Sequence, residues 1–402
     1  MPLESERREF RRLCEALVNE ALHLPEWRDY EYVKGMPEFE AFSAFIRRQA
    51  AAGKARANKV AESKNARAKA RRFTWDFYLL PLLERCSESG CEDVCGQLEG
   101  YLCRGQVDWT VIWQEVAPLP GFTTHSCPVE LANRVTIREL TTGEKQRFGD
   151  FAKMIGFGQA LALGLYGANF AMSWWPPEPK ASPASQRTGD DDFGTVLTAL
   201  RLLKPGVVWY NMRGHWPGHP AFGSNPALGT SSWAPNVARR EGGYELLEPD
   251  VQPLKDIVDA LLHVGQHERL SLALRRFDVA HDRTRPEDRF IDHWVALEAL
   301  FLPGISDELS FRASLRIAYY VAAVPDEREE VFHKMRLSYK TRSKVVHGES
   351  PKVDLPEIAN DTEEIVRRVL RAEVMSPGSL NVDRLDAAIA RGGSREQERT
   401  LE

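Results

Sequence analysis

Arg342 and His347 are the residues whose types and spacing best fit chemistry. A planar guanidinium can hold two oxygens of a phosphate at once, and an imidazole can give or take a proton near neutral pH. Together they suit phosphoryl chemistry, with Arg342 holding charge and His347 moving a proton. Spacing alone proves little: Arg276 with His281 and Arg328 with His333 have the same gap, and Arg213 with His219 is one residue longer.

Context separates the first pair from the others. Val331, Met335, Ser338, Arg342 and Val345 recur at steps of three and four, so Arg342 sits in a mostly apolar helical stripe, where a cation needs a partner. Gly348 followed by Pro351 is a helix stop, which puts His347 in the last turn. Carbonyls pointing out of that end favour an imidazolium.

Partners for the arginine lie upstream. Ile291, Trp294, Glu298 and Phe301 share one helix face, and Arg316 stands in a run from Leu315 to Val324 that is apolar almost all round. Buried charges are tolerated when paired and hydrogen-bonded, so Glu298 is expected to pair with Arg316 or Arg342. For Glu298 and Arg316 a purely structural role, locking a bundle, is the favoured reading. For Arg342 and His347 the competing reading is a bundle ion pair and a helix cap.

The elements that must position these groups are helices. Glu268 to His281, Glu287 to Leu302, Glu308 to Val324, Asp326 to His347 and Leu355 to Glu373 show helical spacing, and Pro286, Pro303-Gly304, Pro325 and Pro351 mark short connections. That is an up-and-down bundle over residues 246–375. The polar tail after Ser376 (376–402) is expected to be poorly ordered.

The first half, 1–245, reads differently. Residues 5–50 and Phe73 to Gln97 look helical, whereas Val107 to Val116, Ala132 to Leu140 and Val207 to Met212 are rich in β-branched and aromatic residues and should be strands. Thr195 to Leu203 should be a helix closed by Lys204-Pro-Gly. The stretches from Trp174 to Gly194 and from Arg213 to Gly243 read as loops by their Gly and Pro content. The fold class expected is α+β: a mixed α/β N-terminal region, then an all-α bundle.

Several functions are argued against. The formal net charge of -5 excludes a general polyanion binder, so nucleic acid would need a local basic patch. Arg47 to Arg72 offers one, with ten Lys or Arg against Glu62 alone. Arg56, Lys59, Lys69, Arg71 and Arg72 are its candidate RNA contacts, against the alternative of a solvated helix. Met154 to Pro177 carries no charge, but its four glycines, Gln159, Asn169 and Ser173 suit a buried core segment better than a membrane span. Gly156-Phe-Gly158 is not a nucleotide loop, since no Gly-Lys-Ser/Thr follows. Met1 to Glu20 is charged and lacks a leader's apolar core, which points to the cytoplasm. Cys86, Cys91, Cys95 and Cys103 could hold zinc, but their gaps match no paired CxxC knuckle, and reduced thiols are the preferred reading. His215 and His219 have no acid or cysteine at ligand spacing, so no metal is assigned.

The run Asp288-Arg-Phe-Ile-Asp-His-Trp-Val-Ala-Leu-Glu-Ala-Leu-Phe301, then Arg316, then Tyr339-Lys-Thr-Arg-Ser-Lys-Val-Val-His-Gly348, resembles the ApeA-like branch of the HEPN superfamily. The likeness covers roughly residues 255–375, and Thr195 to Gly206 resembles, less distinctively, the region upstream of the bundle in such proteins. The resemblance implies a helical bundle that forms a homodimer, with Arg and His of both subunits lining one cleft, acting as a cofactor-free, metal-independent endoribonuclease. Many relatives are bacterial toxins or antiviral effectors, so a phage-derived trigger is a further implied partner. By position Arg342 and His347 inherit the catalytic roles, with Glu298, Arg316, Asp292 and Ser343 in support. RNA brings its own nucleophile, the 2′-hydroxyl, so products should be a 2′,3′-cyclic phosphate and a 5′-hydroxyl, and DNA should resist. Two alternatives stand beside this: a non-catalytic HEPN-type module that dimerises and binds RNA or a nucleotide, and a zinc-dependent enzyme or sensor using Cys86 to Cys127.

Overall fold

The computed structural model of the chain describes residues 4–23, 35–45, 48, 112–156, 168–176, 189–210, 212–219, 223–224, 230–233, 242–349 and 353–391. The basic run 47–72, apart from Arg48, and Cys86, Cys91, Cys95 and Cys103 lie outside them.

Helix α1 (Glu4–Leu22) buries Phe10, Cys14, Leu17, Val18 and Ala21, the stripe its spacing demands. The sheet follows: β1 (Ile112–Leu119), β3 (Val129–Glu130), β4 (Val135–Glu139), β5 (Phe170–Trp174), β6 (Met212–His219), β7 (Gly223–Ser224) and β8 (Thr230–Trp233). Its order is β3-β4-β5-β1-β6-β7, with β8 also on β6, and every pairing is antiparallel. β2 (Phe122–Thr124) and β9 (Tyr244–Leu246) form a separate parallel pair.

Helix α2 (Thr142–Ile155) lies on one sheet face, where Val116, Leu140, Phe148, Ala171, Met212 and Trp216 form a small core. Helix α3 (Gly189–Leu203) covers the other, and its core runs without a break from Ala117, Ile137 and Met172 into the bundle. β5 is buried at every position, as expected of a strand cut from an uncharged stretch.

Two expectations are corrected here. The segment read as a loop from Arg213 onward holds β6, β7 and β8. Gly and Pro concealed it, yet they have a positional reason: a Cβ on Gly214 would lie 1.9 Å from the Trp216 ring, so only glycine lets that indole fold back along its own strand. Conversely, Val207 to Tyr210 form no strand, because β6 starts at Met212.

From Val251 onward the regular elements among the described residues are all helices, the longer ones being α4 (Val251–Leu261), α5 (Glu268–Asp282), α6 (Pro286–Phe301), α7 (Leu309–Val321), α8 (Pro325–Val346), α9 (Leu355–Met375) and α10 (Val382–Ala390). Pro sits in the first turn of α6, α8 and α9, where a missing N–H costs nothing. Phe277, Phe290, Trp294 and Phe301 are fully buried, each contributing about 2–3 kcal/mol of transfer free energy. Within the tail read as poorly ordered, Val382–Ala390 instead form α10, a helix capped by the Asn381 side chain, with Leu385 and Ala388 buried, while residues 392–402 lie outside the described residues.

Sheet and bundle are joined at the end of α3. Arg367 Nε and Arg371 Nη1 donate to the carbonyls of Arg201 and Leu203 at 2.8 and 3.2 Å. These are terminal carbonyls that the helix itself cannot satisfy.

Candidate active site

Helix α8 begins with Val324 extended, Pro325, and Asp326 and Glu327 in its first turn, all favourable at a helix N-terminus. It ends in a Schellman arrangement. Gly348, at φ +76, donates to the Val345 carbonyl at 3.0 Å, and Glu349 donates to the Lys344 carbonyl at 2.9 Å. His347 is the C-cap itself, one residue past the last helical turn, with its N–H bonded to the Ser343 carbonyl at 3.1 Å. Its side chain is exposed.

Arg342 turns inward. Its Nη2 lies 3.1 Å from Glu298 Oε2 on α6, and both side chains are about a quarter exposed (23% and 24%). The guanidinium also stands 5.8 Å from the Tyr339 ring centroid. Its Nε is buried and has no hydrogen-bond partner among the described residues. Burial pushes the Tyr339 phenol up, the Glu298 carboxylate pushes it further, and Arg342 opposes both.

A chain of polar contacts fixes this part of α8. Trp294 Nε1 donates to Ser338 Oγ at 2.9 Å, Ser338 Oγ meets Thr362 Oγ1 at 2.7 Å, and Thr362 donates to the Ile358 carbonyl at 2.7 Å. Trp294 and Tyr339 pack edge to face at 4.9 Å. α6, α8 and α9 are thereby locked one turn from Arg342.

The sequence-predicted supporting residues divide. Glu298 joins Arg342, as one of its two expected pairings. Arg316 does not meet Glu298: its Nε and Nη2 donate to Asp386 of α10 at 2.8 and 2.5 Å, and its Nη1 to the Phe301 carbonyl at 2.6 Å. Asp292 is buried between Arg283 Nε at 2.8 Å and Arg276 Nη1 at 3.2 Å, so it ties α5 to α6 and does not reach Arg342. Ser343 is half-buried and serves the site through its carbonyl. Arg56, Lys59, Lys69, Arg71 and Arg72 lie outside the described residues.

A buried titratable cluster escaped the sequence reading. His281 Nδ1 bonds the Phe277 carbonyl at 2.9 Å, and its Nε2 faces Glu363 Oε1 at 3.5 Å. His293 is wholly buried with both ring nitrogens unpartnered among the described residues. Arg367 Nη2 reaches Glu363 at 2.7 Å, and Arg201 pairs with Asp278 and Asp282 at 3.1 and 3.2 Å. Burial lowers both histidines, His293 to about 3. Burial alone would raise Glu363, but the His281 imidazole 3.5 Å away and the charges around it, Arg367 among them, hold it well below the usual carboxylate range. The signal was there: His281 continues the Leu270, Leu274, Phe277 stripe, and His293 continues Phe290 toward Leu297.

Among the described residues no group of three His, Cys, Asp or Glu could hold a metal ion, and no helix is long and apolar enough to cross a membrane. Cys127 is a free thiol. Comparison with protein-family models, with curated proteins and with solved structures gave no match.

Proposed function

We propose that the chain is an endoribonuclease that cleaves RNA without a metal, through attack of the 2′-hydroxyl on the adjacent phosphate. The observation that carries this reading is Arg342, a guanidinium held by Glu298 at 3.1 Å yet still about a quarter exposed (23%), five residues before an exposed cap histidine. Arg342 binds the phosphate oxygens and stabilises the charge that grows on them, and His347 transfers the proton. Glu298 fixes the guanidinium, and the Trp294–Ser338–Thr362 chain fixes the helix beneath it.

A straight helix sets residues five apart about 140° around its axis and about 7.5 Å along it, so one copy does not aim both groups at one point. A homodimer through the bundle brings the Arg of one protomer toward the His of its partner. The family resemblance adds the setting: a cytoplasmic bacterial toxin or antiphage effector, released by a phage-derived trigger.

One observation favours a second reading. The Glu298 pairing holds Arg342 as a structural ion pair would, and a non-catalytic RNA- or nucleotide-binding module needs no more. End-mapped cleavage of total bacterial RNA in EDTA separates the two, using the parent beside Arg342→Ala and His347→Ala. Cutting by the parent alone, leaving 2′,3′-cyclic phosphate ends, supports the nuclease. Cutting of DNA, or equal cutting by all three proteins, removes it.

A further inference from the structure

We propose that the outward face of α8 is a track for single-stranded RNA, running from an aromatic platform to His347. Arg336, Lys340, Lys344 and His347 follow one another at steps of four, four and three, which puts all four on one side of the helix, and all four are exposed. The polar groups beside them have acidic partners: the His333 ring faces Glu329 at 3.7 Å, and the Lys334 ammonium meets Glu330 at 2.9 Å. Arg336, Lys340, Lys344 and His347 are in no ion pair among the described residues. The three cations Arg336, Lys340 and Lys344, at one-turn intervals about 6 Å apart, match a flexible polyanion whose charges repeat at similar spacing.

The second observation is aromatic. The Arg336 guanidinium stands 5.9 Å from the Phe332 ring centroid, and Phe332 packs edge to face at 5.7 Å on Phe311 of α7. Phe311 is 45% exposed, an unusual position for so large an apolar ring, and Leu337 beside the track is 48% exposed. A line of cations that leads to a solvent-facing ring suits a single strand, the ring stacking a base while the cations follow the phosphates. A duplex keeps its bases stacked on each other and leaves Phe311 nothing to take. Arg342 lies on the far side of the helix from this face and is no part of the track. The proposal depends on the ribonuclease reading only for the role of its terminal residue, His347.

The test is binding of the full chain to a 2′-O-methyl oligoribonucleotide, which has no nucleophile and stays intact, measured by fluorescence anisotropy over a range of salt. The combined variant Arg336→Gln, Lys340→Gln, Lys344→Gln should flatten the slope of log affinity against log salt by about 2, since each lost phosphate contact on a single strand contributes roughly 0.7. Arg336→Lys should keep the slope, and Phe311→Ala should weaken binding about tenfold with the slope unchanged. An unaltered slope in the combined variant overturns the track, as does equal affinity for a duplex, or binding to phosphatidylserine vesicles with none to the strand. Failure of the two readings is distinguishable. A parent that cuts RNA while the combined variant keeps its slope removes the track alone, whereas track-dependent binding with equal RNA cutting by the parent, Arg342→Ala and His347→Ala removes the nuclease alone.

Discussion

Arg316 donates to both carboxylate oxygens of Asp386, 70 residues further along the chain, and so leaves Glu298 to Arg342. The C-terminal helix α10 thus completes the bundle's charge balance. Arg316 is 4% exposed while Asp386 is 45% exposed, so the cation depends on this partner more than the carboxylate does. Asp386→Ala should lower stability by about 2 kcal/mol, less than for a fully buried pair because water screens one side. Ending the chain after Leu380 should cost at least as much. Urea unfolding checks both, and a change below about 0.5 kcal/mol for either would show that Arg316 finds its charge balance elsewhere.

Glu298→Gln keeps the shape at Arg342 but removes the charge. Both side chains are about a quarter exposed, which limits the loss of stability to about 1 kcal/mol or less. RNA cleavage should persist, because Glu298 orients the guanidinium and takes no proton in the proposed step. Loss of cleavage by a hundredfold or more with an unchanged melting temperature would instead make Glu298 a participant.

Gly348 has room for a methyl group, since nothing lies within 4 Å of a Cβ built there, but its φ of +76 strains any side chain. Gly348→Ala should therefore cost about 1 kcal/mol through backbone conformation alone. Because Gly348 sets the turn that carries His347, cleavage should fall more than stability. Gly348→Asn, which tolerates the left-handed region better, should recover part of both. An alanine variant as stable and as active as the parent would mean that the cap is not what aims His347.

The buried histidines make stability depend on pH. Burial pushes both His281 and His293 below the ordinary 6.5 in the fold, His293 to about 3. The unfolded chain therefore binds more protons below about pH 6.5, and stability falls as the solution is acidified. The slope is up to about 1.4 kcal/mol per pH unit for each histidine, and for His293 it continues toward pH 3. Glu363, held below its ordinary 4.5, adds a loss in the same direction below about pH 4.5. Urea midpoints from pH 7.5 to 5 should show the slope, and His293→Leu should reduce it by about half. A flat profile would mean that water reaches these rings.

The sequence determined the bundle and the local geometry around Arg342 and His347. Helical periodicity, Pro in the first turn and Gly after the last residue are signals read within a few residues, so α5 to α9 and the stop at Gly348 could be foreseen. The need of a cation in the apolar stripe of α8 for a carboxylate is also local, and Glu298 met it. The partner of Arg316 was not local. Asp386 lies in a tail whose composition reads as solvated, and α10 is held by the contacts it makes with α7 rather than by its own length. β6 and β8 were concealed for the same reason: a strand with Gly214, Pro217 and Gly218 has weak intrinsic preference, and its hydrogen bonds come from β1, about a hundred residues away. The pairing of His281 with Glu363 likewise joins α5 to α9. Which residues are helical was written in short-range pattern. Which buried charges meet, and which histidines lose water, was decided by tertiary packing, because only there do groups far apart in the chain come to share one low-dielectric space.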